Sequence, residues 1–258
     1  MLRKGNCRTQ RFGSKRPRPL VVADTRNRSG PCQFIEARQR SEPDRVATTV
    51  ESTGSASDFV PPRPTLPKLR VAVQECRGCA LYANATQAVF GEGPKAATLV
   101  VIGEQPGDAE DRAGHPFVGP SGLLLDRAFE AAGIDRDEIY VTNAVKHFKW
   151  ARDRRTVRRL HKTPSAEEVR ACRPWLLAEL SLVRPRAILC LGATASKAVF
   201  GPAFSVMKQR GTPLESDLAP VAFATVHPSA VLRAPEGERA AAERRFFVDV
   251  ERVARHMR

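Results

Sequence analysis

The chain has 258 residues, which suits one domain with a full core plus a tail and is short for two domains of ordinary size. Its formal charge of +14 favours polyanions, because basic side chains at a phosphate backbone release condensed counterions. No run of about 18 apolar residues occurs and Met1-Leu-Arg-Lys-Gly5 is not a secretory leader, so the expectation is a cytoplasmic protein without a membrane partner, monomeric by default.

Residues 1–66 are rich in Arg, Ser, Pro and Thr, lack apolar periodicity and read as a disordered basic extension. It is either a dispensable tail, including one created by a wrongly assigned start, or an arm that adds non-specific DNA affinity. Pro61, Pro62, Pro64 and Pro67 make a stiff linker, so the domain is expected over residues 67–258 with order setting in near Leu69. Beyond that point Ala97–Gly103 reads as a buried strand and Ser121–Ala132 as a helix carrying Leu124, Leu125, Ala128 and Phe129 on one face. Ile139–Asn143 is a second strand. Ser165-Ala-Glu-Glu168 is a capping box opening a helix that ends near Val183, before Arg184-Pro185. Ala187–Gly192 is a third strand, Ala193–Phe200 a helix, Val221–Val226 a fourth strand and Arg239–His256 a closing helix. This alternation predicts an α/β fold: three layers, α/β/α, around a mostly parallel four-stranded sheet. Sites in such sheets lie at the carboxyl ends of the strands, where the polar segments Gly103–Gly107, Asn143–Lys146, Gly192–Thr194 and His227–Ser229 fall.

Without a leader, the six cysteines are better read as metal ligands or free thiols than as disulfides. Cys76-Arg-Gly-Cys79 puts two soft ligands a turn apart, which suits zinc or an iron–sulfur cluster. Cys172, on the helix after the long loop, and His147, just after the second strand, would complete a set of three thiolates and one imidazole. Cys190 lies inside an apolar strand and is expected to pack as a small hydrophobe. Gly103-Glu-Gln-Pro-Gly107 lacks the glycine spacing that surrounds a pyrophosphate, which argues against a nucleotide cofactor. Glu104, Asp108 and Asp111 suggest instead a site that orients water or stabilises positive charge on a reacting sugar.

Four segments together carry a specific resemblance: Gly-Glu-Gln-Pro-Gly-Asp (103–108), Gly-His-Pro-Phe-Val-Gly-Pro-Ser-Gly (114–122), Thr-Asn-Ala-Val-Lys (142–146) and His-Pro-Ser (227–229). Over roughly residues 71–255 the chain resembles the uracil-DNA glycosylase superfamily, and the Cys76/Cys79 pair is similar to its iron–sulfur branch, family 4. Two departures narrow the likeness. His147 stands where family 4 usually has Cys, and an arginine-rich insertion ends in Arg158-Arg-Leu-His-Lys-Thr-Pro-Ser165. Both features resemble the UdgX-type proteins, whose inserted histidine becomes covalently joined to the uracil-bearing site.

The resemblance implies a glycosylase fold, a 4Fe-4S cluster on Cys76, Cys79, His147 and Cys172, and uracil-containing DNA as partner. Single-stranded DNA is expected, with double-stranded DNA left open, and a nucleoid association when bound. Phe117 would stack under the extruded uracil, Asn143 would pair with its edge, and His227 would stabilise charge on the departing base. Gly103 and Ser229, from the same motifs, would contact substrate. His161 would capture C1′ of the sugar, with Glu104 orienting its imidazole and Gln105 and Asp108 shaping the pocket. Arg154, Arg155, Arg158 and Arg159 would follow the DNA backbone, and Lys162 would meet a phosphate beside the abasic sugar. Two alternatives stay open: a conventional multiple-turnover family 4 glycosylase, and a binding factor that shields uracil or abasic sites.

Overall fold

The computed structural model describes residues 54–153 and 155–257. The extension ahead of residue 54, Cys7, Cys32 and Arg154 lie outside the described residues, and so do the expectations made for them.

The first α-helix among the described residues is α1 (Leu66–Ala72), whose N-cap Thr65 accepts the Lys68 N–H. Then come β1 (Leu99–Gly103), α2 (Asp108–Ala113), α3 (Pro120–Ala132), β2 (Ile139–Asn143), β3 (Trp150–Arg152) and β4 (Arg159–His161). They are followed by α4 (Ala166–Val183), β5 (Ala187–Leu191), α5 (Gly192–Phe200), α6 (Val206–Gln209), β6 (Leu214–Ser216), β7 (Ala219–Thr225), α7 (Pro228–Leu232) and α8 (Glu236–Met257). The Ser165/Glu168 capping box opens α4 as its sequence predicts, with reciprocal bonds of 3.2 and 2.6 Å. Among the described residues no helix is long and apolar enough to cross a membrane.

The main sheet has the order β2-β1-β5-β7-β6 and is parallel except for β6. Its interior strands are almost wholly apolar because both faces are covered, with the buried Thr225 at the end of β7 donating to Asp249. Leu99, Val101, Ile139, Val141, Leu189 and Phe223 face α3, α7 and α8. The alternate residues Val100, Ile102, Tyr140, Ile188, Cys190 and Ala222 face α4 and α5, which makes the expected three layers.

The sheet has five strands where the sequence predicts four. β6 spans three residues on an antiparallel edge, too short to show a period of two. The arginine-rich insertion, read as a loop, forms a separate two-stranded ribbon with Trp150 opposite His161 and Arg152 opposite Arg159. Its charges mask the strand pattern. Packing also starts upstream of the boundary expected at residue 67: Ala56 is buried and its N–H donates to Ala171 O at 2.8 Å. That segment joins a third cluster with Leu69, Val73, Cys76, Phe90, Cys172 and Trp175.

One ion pair lies wholly inside the fold. Lys146 and Glu179 are both fully buried, and Lys146 Nζ contacts a Glu179 carboxylate oxygen, Thr142 Oγ1 (2.7 Å) and Asn143 O (2.9 Å). Glu179 also accepts from Gly91 N–H and Tyr140 O–H, each at 3.0 Å. A buried pair survives only when its remaining valences are met in this way. Here they tie the end of β2 to α4.

Candidate active site

β2 lies to one side of β1 and β5 to the other, so the loops leaving β1 and β5 diverge and open a crevice at their carboxyl ends. A cavity of about 700 Å³ occupies it. Glu104 and Gln105 come from the loop after β1, Asn143 from the end of β2, Gly192 from the end of β5, and His227 and Ser229 from the N-cap and first turn of α7, just after β7. Phe117 enters from the loop before α3, and His161 and Lys162 from the base of the β3–β4 ribbon, opposite its turn. Eight of the side chains predicted from sequence therefore face one space.

Asn143 and Phe117 meet across Gly103. A Cβ at Gly103 would stand 2.3 Å from Asn143 Oδ1 and 2.7 Å from Phe117 Cζ, so glycine is what lets the amide and the ring approach. Gly103 thus packs behind the two side chains and does not itself line the cavity. Phe117 is held at φ 58°, a left-handed conformation that a bulky residue adopts only when its surroundings impose it. Its ring stacks on His227 with centroids 6.5 Å apart and planes 23° from parallel.

His227 is the N-cap of α7. The Ser229 backbone N–H donates to its Nδ1 at 3.2 Å, and a ring nitrogen that accepts a hydrogen bond carries no proton. The neutral ring therefore keeps its one N–H at Nε2. Burial pushes the pKa down to about 4, and the nearby His161 and Arg233 push the same way, so the ring is neutral at pH 7.

His161 is more open, with its side chain 48% exposed. Its Nε2 lies 3.4 Å from Glu104 Oε1 and 2.9 Å from the Gln105 amide nitrogen. Burial lowers its pKa, Glu104 opposes and Arg233 reinforces the fall. The other Glu104 oxygen accepts the Thr194 hydroxyl. Gln105 links the base of the ribbon: its Oε1 accepts Lys149 N–H at 3.0 Å, and its nitrogen donates to Lys162 O at 3.0 Å and Lys149 O at 3.2 Å.

Two predicted residues lie elsewhere. Arg159, expected on the DNA backbone, is turned inward: its guanidinium pairs with Asp108 and, at 2.6 Å, with Asp111, and it lies over Phe148 and Trp150. Asp108, expected to shape the pocket, spends its carboxylate on Arg112 and Arg159. Burial alone would raise its pKa, but those two guanidinium groups hold it below the ordinary carboxylate range. Both residues anchor the ribbon that carries His161. The reason is Asp111, fully buried and in need of a cation.

The cysteines gather away from this cavity. Cys172 and Cys76 are buried and Cys79 is partly so; burial, with a smaller push from the neighbouring thiols, raises the pKa of Cys79 and carries that of Cys172 to about 12. N–H groups face two of the sulfurs: Trp175 Nε1 to Cys76 at 3.2 Å and Lys146 N to Cys172 at 3.3 Å. His147 is buried and its pKa is pushed to about 4, so it is a neutral donor. Among the described residues no three such side chains stand close enough to hold a single ion. Donors to a cluster bind different irons and stand further apart than donors to one ion. Apolar walls, clustered thiols and N–H groups aimed at sulfur fit an iron–sulfur group in these terms.

The profile of the Uracil DNA glycosylase superfamily matches residues 90–251, more than half of the chain. The chain belongs to the uracil-DNA glycosylase superfamily. Membership makes it a hydrolase of the DNA glycosylase class. It is 39% identical over 162 residues to a Type-4 uracil-DNA glycosylase of Thermotoga maritima, covering 62% of this chain and 80% of the relative. The Type-4 uracil-DNA glycosylase of Pyrobaculum aerophilum is 35% identical over 177 residues, 66% of this chain and 86% of its own. That of Sulfurisphaera tokodaii is 34% identical over 181 residues, 66% and 77% respectively.

In this glycosylase the sequence reading gave no site role to Glu110 and Arg233, which line the cavity, or to Thr194, which holds Glu104 from behind. Thr194 falls in a segment already placed at a strand end. Arg233 follows α7, too short a helix to show periodicity, and Glu110 looks like any first-turn acid.

Proposed function

We propose that the protein excises uracil from DNA and that His161 then bonds to the exposed sugar, leaving protein and DNA covalently joined. Excision is the coarser part and rests on superfamily membership together with the Type-4 relatives. The observation that carries the finer part is that His161, whose pKa is lowered, faces the same cavity as Phe117, Asn143 and His227 and stands beside Glu104.

The steps follow from the groups present. A stacked base is out of reach, so uracil leaves the strand and lies on Phe117. The Asn143 amide offers a donor for O4 and an acceptor for N3–H. As the N-glycosidic bond breaks, its electron pair moves to uracil, and the His227 Nε2–H donates to the charge that develops there. C1′ becomes cationic. The lone pair of a neutral His161 nitrogen forms the new bond to C1′, and the proton on the other ring nitrogen is lost. Glu104, fixed by Thr194, orients the ring and stabilises the positive charge that passes over it. The N–C bond formed has no good leaving group, so turnover stops after one cycle.

Cys76, Cys79, His147 and Cys172 are the residues to hold a 4Fe-4S cluster, which when bound supplies a cross-link between the segment after α1, the end of β2 and α4. The Type-4 relatives favour a second reading, in which water takes the place of His161 and the enzyme turns over. Incubation with uracil-containing single-stranded DNA followed by a denaturing gel separates them. A complex stable to detergent and heat is expected; free protein with abasic DNA supports turnover, and neither product removes both readings.

A further inference from the structure

Glu110 lies in the cavity wall and is absent from the mechanism above. It is the third residue of α2, and it is buried. Its two carboxylate oxygens go to two different loops. Oε2 accepts the N–H of Gly107 at 3.0 Å, in the loop that carries Glu104 and Gln105. Oε1 accepts the N–H of Gly119 at 2.8 Å, just beyond Phe117. These are charge-assisted bonds, short and directional, and they take up orphan amides at the starts of α2 and α3 at once.

Both loops are built for this approach. A Cβ on Gly107 would stand 2.5 Å from Oε2, and one on Gly119 would stand 2.9 Å from Oε1. The backbone φ values of −87° and −86° are open to any residue, so the carboxylate and not the backbone is what a side chain would disturb. Between the two anchored amides lies Phe117 with its left-handed φ of 58°, a conformation that needs an outside restraint.

We propose that Glu110 is a positioning residue for excision: its carboxylate clamps the loop bearing Glu104 and Gln105 to the loop bearing Phe117. The clamp holds the base platform and the sugar-facing groups at one spacing. This rests on the reading of the site given above. Glutamine in its place has one oxygen for two N–H donors and sets an NH2 against the other, so the link between the loops is broken and neither is held against the other, while the volume is kept.

The test is single-turnover release of uracil by the full chain, with amide exchange measured over residues 103–109 and 115–122. For Glu110→Gln the maximal rate is expected to fall at least about tenfold, since small misplacement of reacting groups is costly. The DNA concentration at half-maximal rate should stay within about threefold, because DNA is held largely by other contacts. Exchange should speed up in both loops together. Gly119→Ala, which crowds Oε1 alone, should show a smaller loss of the same kind. A folded Glu110→Gln with the wild-type rate, a change in half-saturation with no change in maximal rate, or faster exchange in one loop only overturns the clamp. If Glu110→Gln does not fold, Gly119→Ala decides, and a wild-type rate there overturns it. Wild-type protein that releases no uracil sinks the reading of the site, while the exchange data still judge the clamp.

Discussion

The two histidines of the cavity are held in opposite ways. His227 sits where β7 passes into α7, capped by a backbone N–H and stacked on Phe117, so the packed sheet fixes both its tautomer and its direction. His161 stands at the end of a three-residue strand with 48% of its side chain exposed, on a ribbon whose hold on the body includes Arg159, Asp108, Asp111 and Gln105. On the function proposed above, base departure belongs to the rigid part of the fold and the fate of the sugar to an attachment. An attachment of that kind can alter the outcome of the reaction without rebuilding the sheet.

Exchanging the two roles gives the largest effects. His161→Ser is expected to abolish the covalent complex while uracil is still released, within about tenfold of the wild-type rate, since this side chain acts after the bond breaks. His227→Ala should slow release by about 10²–10³, the usual loss for a donor at developing charge, and the adduct should fall in step. Gel and uracil-release assays on the same samples check both. An adduct that persists in His161→Ser means another side chain is the nucleophile.

The attachment itself is the next target. Arg159→Gln leaves the fully buried Asp111 without its cation, which should cost about 3 kcal/mol of stability. With the ribbon loosened, adduct formation should fall by about tenfold, equivalent to about 1.4 kcal/mol, and excision by much less. Equal losses in both would show that the ribbon serves excision as well. Denaturant melts together with the two assays distinguish these cases.

Sequence reading reached the sheet-borne part of the site more completely than the attachment, for a physical reason. Asn143, Gly103 and His227 stand at or just past the ends of apolar strands whose pattern is strong, so their positions are legible in the sequence. The ribbon is short and arginine-rich, and in such a segment local charge hides strand pairing. Arg159 shows the cost: its neighbours suggested a DNA-facing stripe, and only the fold reveals that Asp108 and Asp111, some fifty residues earlier, turn it inward. β6 was missed for want of length, and Glu110 because nothing local tells a clamp from a first-turn acid.

The smallest effect expected is that of pH on excision, and its sign follows from His227. Its pKa in the fold is about 4, against an ordinary value near 6.5, so the ring stays neutral from about pH 8 to pH 5.5. Uracil release should change less than about twofold over that span on account of this residue. Stability behaves differently. As pH falls below the ordinary value, the unfolded chain takes up a proton that the folded ring refuses, so stability is lost on acidification until the folded pKa is reached. At pH 5.5 the loss from His227 is about 1 kcal/mol. His227→Asn still offers an N-cap for α7 but cannot titrate, so the wild type should lose that much more stability than the variant between pH 7.5 and 5.5. Parallel curves for the two proteins would mean that the ring protonates freely in the fold, and the Nε2–H donor assigned to the departing base would then be a full cation in the acid range.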